Sequence, residues 1–260
     1  MFKIISFFLF CGSIIAQQKI SVADSIIIPE KFTRFYGVDI HENLFFSNNE
    51  TLIKKTENQT FEYANFTLGI PSSISIINPL QILVYYKQTN AFVLLDRFLN
   101  EIKTEELNFT STEINSSHIS NSKDQWVWIV NQNNNQICTY NYFTSKTINC
   151  FVPNNTSTLL FKSNFNYAIN YNGKEIQLIN NYGRILEKIK LEKVNSIEIS
   201  SNHIYVFKED SLNIYDFNFT PLAYFKLEKN QHKNCFVTNE ILYIYNGSSL
   251  LKHKLNIPTN

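Results

Sequence analysis

Cys138 and Cys150 are the pair whose spacing makes the most definite chemical statement in the chain. The residues on either side of Thr144 read as a hairpin, and centring it there sets the two cysteines directly opposite each other. Opposed residues on antiparallel strands have Cα atoms about 4.5–5.5 Å apart, within reach of a disulfide. In an oxidising compartment the pair closes as a bridge; with the register shifted it is two reduced thiols on adjacent strands. Cys235 is left over and reads as a small buried apolar residue.

Other residues of chemical interest each have a plainer reading. Asp39 and His41 fall on one face of a strand and offer two metal ligands, but a structural site needs three or four and His118, His203, His232 and His253 lie elsewhere. The segment therefore reads as a solvated turn, and no metal is expected. Trp126 and Trp128 share a face of one strand, either as a stacking platform for a sugar or as core filling on a continuous apolar run. The polar segment Asn131–Gln136 beside them looks longer than the other turns. Its Asn133, Asn134 and Asn135, with Trp128, are the candidate binding residues; the alternative is a solvated loop. The sequons Asn65-Phe66-Thr67 and Asn108-Phe109-Thr110 are what chance produces in a chain rich in Asn, Ser and Thr.

Motifs that carry catalysis are absent. There is no His-Glu-x-x-His, Gly-x-Ser-x-Gly, phosphate loop or Cys-x-x-Cys, and no aspartate-rich calcium loop. No cofactor is implied. A glycosidase-like site assembled from distant carboxylates and arginines remains open in principle, but Arg34, Arg97 and Arg184 occupy different positions in their segments. With 23 Lys and Arg against 22 acids the net charge is +1, and no like-charge block is available to bind nucleic acid.

Lys3, the apolar stretch from Ile4 to Phe10 and the small residues Gly12 to Ala16 read as a secretory signal over residues 1–16, followed by a single domain over 17–260. The apolar run is too short for the roughly 20 residues that span a bilayer, and no other segment qualifies as a transmembrane span. Cys11 raises lipidation, but Phe10 stands where lipoprotein signals carry a small residue. The expected location is therefore extracytoplasmic: periplasmic, outer-membrane-associated or secreted.

A scaffold has to place these residues, and it is a repeat. Asn43, Asn78, Asn121, Asn164, Asn202 and Asn239 each follow a short apolar segment and precede a longer one, at intervals of 35, 43, 43, 38 and 37 residues. A period near forty containing only strand-like runs specifies an all-β fold, the six-bladed β-propeller, with one four-stranded antiparallel blade per repeat. Gly numbers only 6, so Asn, which tolerates left-handed backbone, must make the turns. Ile82–Tyr86, Trp126–Val130 and Ile204–Phe207 are apolar on both faces, as a blade's interior strand must be. In blade four the pattern reads Ser157–Phe161, Tyr167–Tyr171, an Asn172-Gly173 turn of type I′, Glu175–Asn180 and Ile185–Leu191. After Leu250–Leu255 too little chain remains for a fourth strand. Ser25–Ile28 therefore supplies it and closes the ring.

In architecture the chain resembles β-propellers of the quinoprotein-like and outer-membrane-assembly type, through spacing across nearly the whole mature chain. The tryptophan-docking pattern of quinoproteins, the Trp-Asp dipeptides of WD40 blades and the paired glycines of kelch blades are missing. The resemblance thus implies a fold and neither cofactor nor partner. A rigid monomeric disc with loops from every blade suits a non-enzymatic protein-interaction scaffold with a protein partner in the envelope or at the cell surface; a polysaccharide-acting enzyme or small-ligand binder with a site over the central channel is the alternative.

Overall fold

An interior strand with apolar side chains on both faces can be buried only between two other sheets, and the chain meets that demand by arranging six four-stranded layers in a ring. The computed structural model describes residues 24–27, 32–109, 114–153, 157–228, 235–246 and 249–258; the signal segment and Cys11 lie outside them. Strand β1 is Asp24–Ile27. Blade one comprises β2 to β5 (Arg34–Val38, Leu44–Asn48, Thr51–Lys55, Thr60–Ala64), and blade two β6 to β9 (Ser73–Ser75, Gln81–Tyr86, Ala91–Asp96, Glu101–Glu106). Blade three comprises β10 to β13 (Ser116–Asn121, Trp126–Asn131, Gln136–Asn141, Lys146–Phe151), and blade four β14 to β17 (Leu160–Ser163, Tyr167–Tyr171, Glu175–Asn180, Ile185–Lys190). Blade five comprises β18 to β21 (Ser196–Ile199, Ile204–Phe207, Ser211–Tyr215, Pro221–Lys226), and blade six adds β22 to β24 (Cys235–Thr238, Ile241–Tyr245, Ser249–Lys254).

Each blade is a four-stranded antiparallel sheet, and β1 completes the sixth by pairing outside β24, with Ser25 opposite Leu251 and Ile26 opposite Leu250. The six-bladed, terminally closed ring expected from the asparagine spacing is the observed fold. Six apolar clusters fill the six gaps between blades. On β7, Ile82, Val84 and Tyr86 enter the cluster shared with blade one, while Leu83 and Tyr85 enter the one shared with blade three. That alternation of side chains to opposite faces is why the strand carries no polar face.

Local turn chemistry departs from expectation in two places. In blade four the two loop residues are Gly173 and Lys174, not Asn172 and Gly173: the Asn172 N–H donates to the Glu175 carbonyl, and the Asn172 Oδ1 accepts from Lys174 and Glu175 N–H groups at 3.0 Å. Only Gly173 takes positive φ (94°), so the turn is not type I′, which requires it at both central residues. The segment after Asn131 is a four-residue turn, 132–135, longer than 49–50 in blade one or 208–210 in blade five but matched by 87–90 in blade two, so the extra length is not peculiar to blade three.

Cys138 and Cys150 are joined in a disulfide with Cα atoms 4.2 Å apart. The hairpin alone would not oppose them. Its tip sets Thr139 against Ile148, which would leave Cys138 facing Asn149. A bulge intervenes, with Asn149 at φ 50°, and beyond it Ile137 faces Phe151. One extra residue on β13 brings the two sulfurs together.

Ring closure adds side-chain contacts to the β1 pairing. Lys252 of blade six pairs with Glu42 of blade one at 2.7 Å, and the Asn239 amide donates to the Ile40 carbonyl at 3.2 Å. Gly37 sits beside a register shift in β2 at φ 144°, and a Cβ there would lie 2.7 Å from the Phe236 ring of β22. Gly37→Ala is expected to cost about 2–4 kcal/mol, because it combines a backbone conformation hostile to L-residues with overpacking at the closing seam. Urea denaturation measures this, and Phe236→Leu in the same background should restore part of the loss. An unchanged midpoint in the single variant would contradict the account.

Candidate functional site

The disc has two ends. Turns joining first to second and third to fourth strands open on what we call the upper face; turns joining second to third strands, and the connections between blades, open on the lower face. All six periodic asparagines sit at first-to-second-strand turns, hence on the upper face, but in different roles. Asn164 opens its turn, accepting from Asn166 and Tyr167 N–H groups and donating to the Ser200 carbonyl of blade five at 2.7 Å. Asn43 closes its turn, donating its amide to Asp39 at 2.8 Å. The Asn164 bond to Ser200, with Ser163 bonding to Ser120 and the Asn121 carbonyl, ties neighbouring blades around the channel.

Asp39 is buried, and its Oδ1 accepts from the His41 and Asn43 N–H groups at 2.9 Å. Its carboxylate is committed to the turn. Among the described residues no group of three or more His, Cys, Asp or Glu could hold a metal ion, and no helix is long and apolar enough to cross a membrane.

The residues nominated around blade three are not brought together. Trp128 is 0% exposed and packs on Phe161 between blades three and four, so its indole fills core and is not a binding group. Asn133, Asn134 and Asn135 lie on the lower face and serve their own turn: Asn133 N–H donates to Asn131, Asn134 bonds twice with Gln136, and Asn135 takes positive φ. Trp126 is separate again, lining a cavity of about 280 Å³ on the upper face with Tyr142 and Phe165.

That upper face holds what sequence reasoning missed. Three successive turns between third and fourth strands, Asp96–Asn100, Asn141–Ser145 and Asn180–Arg184, are built alike. The leading side-chain Oδ1 accepts from the N–H two residues on, at 2.7 Å for Phe98, 3.0 Å for Phe143 and 3.0 Å for Tyr182. A second N–H, from Asn100, Thr144 or Arg184, completes each cage. Such Asx turns fix the backbone locally. Burial raises the Asp96 carboxyl, but the Asn100 and Phe98 donors, with the Arg97 charge, together outweigh it and hold the group below its ordinary range.

Each turn is also pinned from the preceding blade at the carbonyl of its second residue. Lys54 donates to Arg97 at 2.8 Å, Lys103 to Tyr142, and the Asn149 amide to Asn181 at 3.3 Å. Lys54 is buried, which lowers its pKa. The third residue of each turn is thus held outward: Phe98, Phe143 and Tyr182 are 44%, 65% and 74% exposed. A cation attends each ring, Arg97 at 4.5 Å, Lys103 at 5.9 Å and Lys123 at 5.6 Å. Leu80 and Phe165 are exposed on the same face. In blade five the cage recurs at Asp216, but Asn218 takes the outward position. The available signal was an Asp or Asn two residues before an aromatic, repeated at 96, 141 and 180.

The central channel encloses about 890 Å³ and is lined by the first strands of all six blades, mainly with Ser, Asn and Ile. Among the described residues its carboxylates are Glu198, ion-paired with Lys162 at 2.8 Å, and Glu240, which faces His203 at 3.9 Å from another turn. They do not form the converging pair that glycoside hydrolysis requires. Arg34 alone of the arginines reaches the channel; Arg97 and Arg184 belong to the upper-face turns. His118 lies in the channel wall near Lys87 and Lys162. Burial, and then the Lys87 charge, push it down to about 4 despite a hydrogen bond to the Leu159 backbone.

No protein-family profile and no curated protein sequence matches the chain. Solved structures do match in fold. BamB from Moraxella catarrhalis is 11% identical, covering 91% of this chain and 100% of that one, at a TM-score of 0.52. Virginiamycin B lyase from Staphylococcus aureus is 13% identical, with 91% and 94% covered, at 0.62. A chain of the mitotic checkpoint complex is 8% identical, with 98% and 97% covered, at 0.59. At these identities the likeness establishes the propeller fold and nothing finer.

His118 generates a prediction for acid stability. Its folded pKa of about 4 lies below the ordinary histidine value of 6.5, so the unfolded chain binds the extra proton between those values. Its contribution is complete above pH 6.5 and lost as pH falls toward 4, by at most about 3 kcal/mol at 1.36 kcal/mol per pH unit. Urea midpoints at pH 7, 5.5 and 4.5 should fall more steeply for the native chain than for His118→Asn. Parallel curves would assign the acid sensitivity to carboxylates instead.

Proposed function

We propose that this chain is a non-enzymatic, exported β-propeller that binds a partner protein in the cell envelope or at the cell surface through the upper face of blades two to four. The observation that carries the reading is the row Phe98, Phe143 and Tyr182: three exposed aromatics on three adjacent blades, each on a caged turn pinned by its neighbour. Exposed aromatics held rigid before binding lose little entropy on contact, and aromatic residues dominate the energetic centres of protein interfaces. The attending Arg97, Lys103 and Lys123 give the patch a polar rim suited to a protein surface.

Export is supported by the signal-like residues 1–16 and by the Cys138–Cys150 bridge, which suits an oxidising compartment. The overall charge of +1 gives the chain no long-range pull on nucleic acid. The scaffold alone does not decide between roles, since similar propellers include both a lyase and a component of a checkpoint complex.

A photo-crosslinking residue placed at Phe98, Phe143 or Tyr182 in living cells should capture one abundant envelope protein. The same residue at Asn134 or Leu159 on the lower face should not. Replacing all three aromatics with Ala should weaken binding to the captured protein at least tenfold, at roughly 1 kcal/mol or more for each anchor. Thermal unfolding should stay within a degree or two, because the rings are exposed. Equal capture from both faces, or full affinity in the triple variant, would overturn the assignment.

A further inference from the structure

The lower end of the central channel carries a charge arrangement that the upper-face reading does not use. Arg34 opens β2, Lys87 lies in the turn after β7 and Lys162 projects from β14; all three line the channel. Arg34 and Lys162 also share a mouth of about 480 Å³ with Ser73, Ser196 and Glu198. The three cations face one carboxylate there, Glu198, which pairs with Lys162 at 2.8 Å. Among the described residues no carboxylate pairs with Arg34 or Lys87. In a chain whose whole net charge is +1, the described residues thus set three cations against one carboxylate at one end of one cavity.

Placement makes the excess consequential. Charges around a cleft with low-dielectric walls focus their field into it, so the same cations act more strongly on an anion inside than they would on an open surface. The positions of two of them are set. Lys162 is held by Glu198, and the Arg34 guanidinium rests 5.2 Å from the centre of the Tyr36 ring. Tyr36 is itself tied to blade two through its hydroxyl, which donates to the Pro71 carbonyl at 2.8 Å. His118 adds a wall group whose Nδ1 lies 3.1 Å from the Ser117 Oγ. Burial first, and then the charges of Lys87 and Lys162, keep that ring uncharged, leaving it as a hydrogen-bonding group. At the other end Glu240 lines the channel, so an anion is favoured at the lower mouth and opposed at the upper one.

We infer that the lower mouth of the channel is a binding site for a small anion of two or more negative charges. Arg34, Lys87 and Lys162 grip its acidic oxygens, and the Ser73 hydroxyl orients it. Arg presents a planar fork to a carboxylate or phosphate group, while the two lysines act as point charges from other blades. A ligand spanning blades one, two and four requires charges on more than one of its groups, which selects multivalent acids over simple ones. The channel volume of about 890 Å³ matches a small organic ligand. The site lies at the opposite end of the disc from the aromatic turns and stands whether or not those bind a protein.

The test uses the mature chain with trisodium citrate and sodium pyrophosphate as probes, in calorimetric titration at constant ionic strength. At least one probe should bind saturably at one site per chain. Arg34→Gln and Lys87→Gln should each weaken it tenfold or more, and Lys188→Gln, on the outer strand of blade four, should leave it unchanged. Tighter citrate would mark a polycarboxylate site, and tighter pyrophosphate a phosphate site. Lys162→Gln strands Glu198, so it is read only if its unfolding midpoint is native; Arg34 and Lys87 are exposed and carry the test without it. No saturable binding of either probe at 10 mM, or equal weakening by Lys188→Gln, would overturn the site.

Discussion

Everything in this molecule depends on closing the ring, because no blade can bury its own interior. Strands such as Gln81–Tyr86 send apolar side chains to both sides, and each side is covered only by a neighbouring blade. An open stack of six blades would leave two apolar sheet faces in water. The cost scales with apolar area, at about 25 cal/mol per Å². The chain closes the stack by passing its first described strand, β1, to the outside of its last sheet. Gly37 and Phe236 allow the two ends to approach, and Lys252–Glu42 and Asn239–Ile40 lock them on the upper side. Closure also removes the free edge of β24, which would otherwise present unpaired backbone groups to other chains.

Once the interior is committed to packing, chemistry can vary only at the two ends of the disc and along the channel. The chain builds those regions with very little glycine. Asn49, Asn90, Asn135, Asn149 and Asn239 take positive φ where glycine is usual, and Asp96, Asn141, Asn180 and Asp216 fold their turns through side-chain carbonyls or carboxylates. This choice has a structural consequence. A glycine turn is permissive, whereas an Asx turn spends its side chain on fixing the backbone and so presents the next residues in a defined direction. The outward set of Phe98, Phe143 and Tyr182 follows from that difference.

The blades were legible because packing from both sides leaves an unmistakable trace: Ile204–Phe207 is apolar throughout and has the same limits in sequence and structure. The asparagine period located the upper-face turns although the six residues play different parts in them, since any turn tolerates Asn at several positions. Register was harder. The opposition of Cys138 and Cys150 required a bulge at Asn149 that no residue type announces, and the turn at Asn172 depended on a side chain replacing a backbone acceptor. Trp128 looked available for binding because a second strand's two faces read alike until neighbours are placed on them. The site features were hidden for a further reason. Arg34, Lys87 and Lys162 belong to three repeats, and their convergence depends on the phase of each strand around the channel, which composition and spacing do not carry.

The two ends of the disc are consequently unlike in physical character, and the difference follows from where each group is anchored. Aromatics at the upper end stand on turns at the junction of third and fourth strands, far from the axis, so neighbouring blades spread them along an arc. A spread of separate anchors suits a broad surface. Cations at the lower end reach in from first strands and from one second-to-third-strand turn, close to the axis, where the blades converge on a shared cavity. Convergence suits a small ligand touched from several sides at once. A propeller offers both geometries because its radius sets how far equivalent positions lie apart. In this chain aromatic rings occupy the wide arc and the cations of the channel the narrow mouth, so the two features draw on different residues.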